Sequence, residues 1–269
     1  MANFDQAEGL RRMLFGAKPR FVTFLSALTS DEKNATLVNL MAGLTQLGSD
    51  ALLLDARLSG TSVAWWLEKR IDATLLDVAQ QKRTIGQAMF TSTQGFKLAS
   101  INRYQSNTPI FQPSSPLLTK LNKVLEKLGN SVDIVLVDGE LSEVNGLALT
   151  ALEEGEIVIQ LTNQPDSIKT AYSLIKRAHS KYGRREYGLL VTGVNEFEAH
   201  RVYEAMAKAA ASFLSVTINF VGYVPEDDHL RRASRAGRSV IDAFPAAGAA
   251  KAFSRLAQHM TEYEFASTT

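Results

Sequence analysis

Short apolar runs alternate with longer amphipathic stretches along most of this chain. Most of the apolar runs are rich in β-branched residues and lack the period-two alternation of a strand with one solvated face. Strands of that kind are typical of a parallel sheet that is covered on both faces. Seven candidate strands follow from this pattern: Arg20–Leu25, Ala51–Asp55, Phe96–Ile101, Asp133–Asp138, Glu156–Leu161, Glu186–Val191 and Asn219–Val224.

The amphipathic stretches between these runs predict helices. They are Thr36–Leu47, Thr74–Ala79, Pro116–Leu128, Val144–Ala151, Ser167–Lys181, Glu196–Phe213 and Pro245–Tyr263. Alternation of strands and helices predicts an α/β fold, a doubly wound and mostly parallel sheet with helices on both faces. In such a sheet, ligands bind at the carboxyl ends of the strands. Residues 58–115 show no clear pattern, and we expect irregular insertions there.

The composition is that of an ordinary globular protein. Of 269 residues, 45% are hydrophobic and 21% are charged, and the formal net charge of +1 gives no overall attraction to nucleic acid or membrane. The chain has no cysteine, which excludes disulfide bonds, thiol catalysis and cysteine-ligated metal. We see neither a signal peptide nor an apolar run of the ~20 residues that cross a bilayer, and we expect a cytoplasmic protein.

The candidate chemistry begins after the first strand, where a lysine stands at the spacing of a phosphate-binding loop. Such a loop, G-x-x-x-x-G-K-[ST], needs glycines so that successive backbone N–H groups can point at phosphate oxygens. The segment Ala27–Asn34 keeps Lys33 but contains no glycine. Asn34 replaces the hydroxyl that would bind Mg²⁺, and Glu32 would place a negative charge beside the phosphates. The sequence therefore predicts a degenerate nucleotide site.

Lys33 itself allows two interpretations. It could be a surviving phosphate contact or an exposed lysine at the start of the helix, and we favour the second. Two further residues would belong to the same site, because Asp55 and Asp138 each end an apolar strand. An apolar strand that ends in aspartate has the form of a Walker B segment, which holds Mg²⁺ through water.

At this point the chain resembles the FlhG/FleN group of MinD/ParA-type (deviant Walker) P-loop proteins, which regulate flagellar number and placement in bacteria. The N-terminal segment Asp5–Arg11 (DQAEGLR) matches the DQAxxLR motif of that group. Leu161–Lys176 is similar to its T-x-P-x-[AS]-[IL]-x-D-A-Y-x-x-I-K stretch, and Gly222–Arg232 to its G-x-[IV]-P-x-D segment. Leu52–Arg57 corresponds to its L-L-D-x-D. The resemblance covers nearly the whole chain and implies a P-loop NTPase fold.

The resemblance also identifies what the site lacks. Active members carry G-K-G-G-V-G-K-T in the loop, and Leu28 stands where their signature lysine lies. Arg57 replaces the second aspartate of L-L-D-x-D, and Gly139 follows Asp138 where threonine is usual. Several losses at one site favour a pseudo-ATPase without catalytic residues or a metal site, and we expect no cofactor. The rival interpretation is a divergent ATPase that binds ATP and Mg²⁺ through Lys33 and the two strand-ending aspartates.

The N-terminal motif implies protein binding. In the resembled group it is a docking peptide that stimulates the GTPase FlhF, and carried over, Gln6 would be the activating residue, with Asp5, Leu10 and Arg11 as anchors. A short amphipathic helix can dock apolar residues in a groove and leave polar groups pointing into a site. The alternative is a helix that packs on its own domain. We expect residues 1–16 to form the docking helix and 17–269 the α/β domain.

The resemblance implies a non-catalytic regulator of flagellar assembly or number. Its expected partners are a FlhF-like GTPase and a flagellar transcription regulator or basal-body component, which would recruit it to the cell pole or membrane. We expect a monomer or a nucleotide-independent dimer. A third interpretation is a module that binds DNA or a transcription regulator.

Two C-terminal features bear on membrane and DNA binding. The helix predicted near the C-terminus has Phe253, Leu256 and Met260 on one face but no excess of basic residues, which favours core packing over membrane contact. The basic cluster at 231–238 directly follows three acids, as in an ordinary solvated helix. We therefore do not expect this cluster to bind DNA.

Overall fold

The fold is built on one eight-stranded sheet. The computed structural model describes residues 20–57, 62–67, 71–102, 115–141 and 149–262. Its strands are β1 (Phe21–Ser26), β2 (Ala51–Asp55), β3 (Met89–Thr91), β4 (Lys97–Ser100), β5 (Ile134–Asp138), β6 (Glu156–Leu161), β7 (Tyr187–Thr192) and β8 (Ile218–Val224). All seven predicted strands are confirmed, and the three-residue strand β3 is additional.

The order of the strands places β1 in the middle of the sheet. The order is β3-β4-β2-β5-β1-β6-β7-β8, and every neighbouring pair is parallel except β3 with β4. Asp138 is in register with Phe24 of β1 on one side and with Asp55 of β2 on the other. The predicted doubly wound, mostly parallel sheet is therefore confirmed, and it brings the two strand-ending aspartates side by side.

Helices cover both faces of the sheet. They are α1 (Ser30–Gln46), α2 (Val63–Trp66), α3 (Leu75–Ala79), α4 (Ile85–Ala88), α5 (Pro116–Gly129), α6 (Thr150–Glu154), α7 (Pro165–Tyr182), α8 (Glu196–Leu214), α9 (Asp228–Arg235), α10 (Val240–Ala243) and α11 (Gly248–Glu262). Buried side chains of α1, α2, α9, α10 and α11 belong to one core cluster, and those of α3 to α8 belong to the other. Alternate residues of the central strands divide between the same two clusters, so each cluster fills one face.

Some helix boundaries differ from prediction for local reasons. The first helix begins at Ser30 rather than Thr36, because Thr29 caps it and the lysine-containing segment forms its first turn. The predicted helix Val144–Ala151 lies mostly outside the described residues, where α6 starts only at its end. The pattern does not predict α2, α4 or α10, because helices of four residues show too few turns for a period to emerge. The solvated helix expected at the acidic and basic segment corresponds to α9. The docking helix also lies outside the described residues, so the division at residue 16 stays a prediction.

The C-terminal helix α11 packs in the core. Phe253, Leu256 and Met260 are buried against α1 and β8, as the core-packing interpretation expects. The contact with α1 is close, because a Cβ on Gly43 would lie 2.8 Å from the Cβ of Ala257. Within the described part of the chain, no helix has the length and apolar character needed to span a membrane.

Replacing Gly43 by leucine should destabilise the fold, because the new side chain would meet α11 with no space to fill. Overpacking of this kind costs about 1–3 kcal/mol of unfolding free energy. Urea unfolding followed by circular dichroism measures the loss. Gly86→Leu is the matched control, since a Cβ at Gly86 meets no atom within 4 Å. Equal unfolding free energies for the two variants would contradict the close contact between α1 and α11.

Candidate functional site

The candidate site lies where β1, β2 and β5 end and α1 begins. The connection from β1 to α1 has only three residues, Ala27, Leu28 and Thr29. Thr29 caps the helix: its Oγ1 accepts from the Glu32 backbone N–H at 3.4 Å, and the Glu32 carboxylate accepts from the Thr29 backbone N–H at 3.1 Å. This capping box satisfies two amides at the helix N-terminus, the position that attracts a phosphate in nucleotide-binding folds.

The other amides of the connection are also used internally. Ala27 donates to the Gln160 carbonyl at 2.9 Å and so extends the contact of β1 with β6. Leu28 donates to the Ser26 hydroxyl at 3.1 Å. Each backbone N–H from Ala27 to Thr29 therefore has an acceptor within the chain. A phosphate-binding loop works in the opposite way, because its consecutive amides converge on an external anion.

Lys33 is buried, so the expectation of an exposed lysine at the helix start is wrong. Its side chain is 5% exposed and forms an ion pair with Oδ1 of Asp138, whose side chain is fully buried. The lysine Nζ also donates to the Gly139 carbonyl at 2.9 Å. Because α1 begins as early as Ser30, Lys33 lies on the inner face of its first turn and reaches the end of β5. The lysine thus neutralises an aspartate that solvent does not reach.

Asp55 lies beside this ion pair on the next strand. It is 5% exposed and is the register partner of Asp138. The Ser100 hydroxyl donates to its carboxylate at 3.2 Å and the Arg57 backbone N–H at 3.3 Å, and Ser62 supplies a further hydrogen bond. Burial and, after it, the neighbouring Asp138 charge raise the pKa of Asp55 to about 6, a rise that the three hydrogen bonds oppose only in part.

Two residues that depart from the resembled group help to close the site. A Cβ at Gly139 would lie 2.4 Å from Cγ2 of Thr23, so glycine lets the end of β5 approach β1 this closely. That approach brings the Gly139 carbonyl within reach of Lys33. Arg57 donates from Nη1 to the Ser30 hydroxyl at 2.9 Å and thereby ties the end of β2 to the start of α1.

Three of the four residues predicted for the degenerate site lie together at one end of the sheet: Lys33, Asp55 and Asp138. The fourth, Asn34, follows Lys33 on α1 and is fully buried. Sequence reasoning missed the polar neighbours that complete the site. Ser100 contacts Asp55 from β4, and Gln160 of β6 donates to Thr36 of α1 at 2.8 Å. A buried polar residue inside an apolar strand, as Gln160 is, was the available signal.

The predicted docking residues lie outside the described part of the chain: Asp5, Gln6, Leu10 and Arg11.

As arranged, these residues do not fit a bound nucleoside triphosphate. The amides of the connection already have acceptors, Lys33 is held by Asp138 and Gly139, and Glu32 occupies the helix N-terminus. A phosphate would have to displace an internal carboxylate from that helix end. Among the described residues, no group of three or more histidine, cysteine, aspartate or glutamate side chains is placed to hold a metal ion.

Two arginines of the basic cluster at 231–238 make ion pairs with nearby acids. Arg231 pairs with Glu226 at 2.8 Å and also with Asp228. Arg238 pairs with Asp242 at 2.6 Å. A carboxylate beside an arginine reduces its attraction for phosphates. That the cluster as a whole does not bind DNA stays a prediction.

The folded chain should lose stability as the pH rises through the range in which Asp55 gives up its proton. Folding raises the pKa of Asp55 from 3.8 to about 6, so the protonated form favours the folded state, and that contribution is lost between about pH 4 and pH 6. Asp55→Asn has no proton to lose. The unfolding free energy of this variant minus that of the natural chain should be about 1–3 kcal/mol larger at about pH 7.5 than at about pH 4.5.

Urea unfolding at the two pH values measures this gain. Asp166→Asn is the control, because the Asp166 side chain is 98% exposed and its charge is well solvated in both states. If Asp55→Asn and Asp166→Asn follow the same pH dependence, Asp55 is not the group responsible.

Known proteins resemble this chain in sequence and in fold. No family model matches the chain. The antiactivator FleN of Pseudomonas aeruginosa is 25% identical over 233 residues, which make up 86% of this chain and 82% of FleN. The MinC:MinD cell division complex of Aquifex aeolicus matches with a TM-score of 0.66 and 20% identity over 93% of this chain and 98% of that one. MinD of Pyrococcus horikoshii, complexed with Mg-ADP, matches with a TM-score of 0.65 and 16% identity over 90% and 96%.

The sequence similarity to FleN and the structural similarity to MinD are consistent with each other. The structural matches, at low identity, show the fold that the strand order already displays. The likeness to FleN extends over most of both sequences. Homology to FleN and the fold shared with MinD/ParA-type structures support a relationship of this chain to the FlhG/FleN-type, MinD/ParA-like P-loop proteins.

Proposed function

We propose that this chain is a non-catalytic, FlhG/FleN-like regulator of flagellar assembly or number that acts through protein partners. The observation that carries the proposal is the closed connection between β1 and α1, whose amides and lysine are all used inside the chain. The names of the relatives supply the regulatory context. An antiactivator opposes an activator, and a MinD is found in complex with MinC, so both point to action through other proteins.

Opening the site for phosphate would be unfavourable. Lys33 would have to leave a buried carboxylate, and an unpaired buried charge of this kind costs about 3–5 kcal/mol. Glu32 would have to release the Thr29 amide, and a helix cap contributes about 1 kcal/mol. A connection without glycine cannot offer a run of inward-pointing amides in return. ATP-driven dimerisation therefore has no basis at this site, and we expect a monomer or a dimer that does not depend on nucleotide.

The chain enters the domain at the end of the sheet remote from the closed site. Arg20, just before β1, pairs with Glu156 and donates to the Met260 carbonyl of α11. Lys33 and Asp138 lie at the opposite, carboxyl ends of the strands. We propose that a partner which binds residues 1–16 is recruited without any change at the closed site.

We assign the partner contact to the N-terminal motif. Gln6 would complete the active site of a FlhF-like GTPase, while Asp5, Leu10 and Arg11 would anchor the segment. These roles rest on the resemblance and on the amphipathic spacing of the motif. A flagellar transcription regulator or a basal-body component is the further partner that the relationship to FleN suggests.

A divergent ATPase is the second candidate, because a solved relative of this fold holds nucleotide. The Pyrococcus horikoshii MinD structure is a complex with Mg-ADP. In this chain the corresponding contacts would come from Lys33, Asp55 and Asp138. The ion pair and the capping box would have to break for them to form.

Calorimetric titration with ATP and Mg²⁺ separates the two candidates. The non-catalytic proposal expects no heat of binding up to millimolar nucleotide. Micromolar binding that disappears in Lys33→Ala would overturn the proposal. Lys176→Ala is the matched control, because Lys176 is an exposed lysine on α7. Circular dichroism first establishes that Lys33→Ala is folded, since the substitution leaves Asp138 without its partner.

The docking proposal is tested by the GTP turnover of a FlhF-like GTPase from the same organism. The natural chain should stimulate turnover, and Gln6→Ala should reduce that stimulation at least about tenfold, as expected for the loss of one active-site polar group. Asn3→Ala is the control in the same segment. If the chain gives no stimulation, or if Gln6→Ala stimulates as well as the natural chain, Gln6 does not have the proposed role.

A further inference from the structure

We propose that Lys33 and Asp138 become joined by an internal amide bond, formed in the folded chain by condensation of the lysine amine with the aspartate carboxyl group. Asp55 is the acid that assists this reaction. The proposal goes beyond the proposed function, since a covalent link between α1 and β5 involves neither nucleotide nor partner. It would close the site permanently, where an ion pair closes it reversibly.

The reacting groups are already in contact. The Nζ of Lys33 pairs with Oδ1 of Asp138, and the two side chains are only 5% and 0% exposed, so neither can turn toward solvent. The Gly139 carbonyl accepts from the same Nζ at 2.9 Å and holds it in place. Groups fixed in this way can reach effective molarities of about 10⁵–10⁸ M. Such positioning lowers the barrier to condensation of the amine with the carboxylic acid.

The pair has largely apolar surroundings. Asp138 lies between Phe24 on β1 and Asp55 on β2, above a face of the sheet that is filled by apolar side chains. Within the described residues, the ion pair with Lys33 is the only polar contact that the Asp138 carboxylate oxygens make. The proposed reaction begins with the transfer of one proton from Lys33 to Asp138 inside the pair, which leaves an amine beside a carboxylic acid.

Asp55 is placed to supply a proton. It is in register with Asp138 on the neighbouring strand, so both carboxyl groups emerge from the same face of the sheet. Burial, and after it the Asp138 charge while the ion pair is intact, raises the pKa of Asp55 to about 6, which makes Asp55 a better proton carrier near neutral pH than an exposed aspartate. Hydrogen bonds from Ser100, Ser62 and the Arg57 backbone fix its orientation.

The step balances without a further reactant. The lone pair of Lys33 Nζ attacks Cγ of Asp138 and forms the C–N bond. Asp55 donates its proton to a departing carboxyl oxygen, the C–O bond breaks, and one water leaves. The surplus proton on the new amide nitrogen then returns to Asp55. Nothing is oxidised or reduced, and the chain loses the mass of one water.

The intact mass of the purified chain tests the proposal. We expect a mass lower by one water than the sequence requires, together with a tryptic digest in which the peptide containing Lys33 is covalently joined to the peptide containing Asp138. Lys33→Arg keeps the positive charge but cannot form this bond, so it should show the full mass and two separate peptides. Asp55→Asn keeps both reacting groups and should leave most of the chain unlinked.

Two results would overturn the proposal. One is the full mass with the two peptides separate. The other is a loss of one water confined to the single peptide that contains Asp138 and Gly139, because an Asp–Gly pair can form a succinimide by itself. That loss would persist in Lys33→Arg, whereas the proposed link would not. Linked peptides in Asp55→Asn at the level of the natural chain would show that Asp55 does not assist.

Discussion

The ion pair between Lys33 and Asp138 constrains the whole functional end of this fold. A carboxylate without access to water needs a cation beside it, and α1 can deliver that cation only if the helix begins at Ser30. An early start in turn requires a cap directly after β1, which Thr29 and Glu32 provide. The connection between strand and helix is therefore short, and its amides are consumed by the chain itself.

The sequence was sufficient for the sheet and insufficient for this pair. Apolar, β-branched runs predict the buried strands, because side chains on both faces of the sheet are hydrophobic. Among the strands that the structure describes, the three-residue β3 is the one that this pattern does not predict. The aspartates that end β2 and β5 could be placed together by the logic of a parallel sheet. The burial of Lys33 could not be predicted, because its partner lies about a hundred residues away along the chain and local patterning treats a charged helix start as exposed.

Three residues that depart from the resembled motif make contacts inside the protein. Glu32 caps α1, Arg57 reaches Ser30, and Gly139 gives its carbonyl to Lys33. Each of these three residues therefore adds a hydrogen bond inside the protein at the end of the sheet where a phosphate site would lie.

The close approach of Gly139 to Thr23 couples the side chains that these two positions can carry. A threonine at position 139 would drive its Cβ into Cγ2 of Thr23, which is fully buried in the middle of β1. A side chain at position 139 would therefore need a smaller residue at position 23, and that smaller residue alone would leave a void. A Cβ at position 139 and the threonine at position 23 thus exclude each other in this packing.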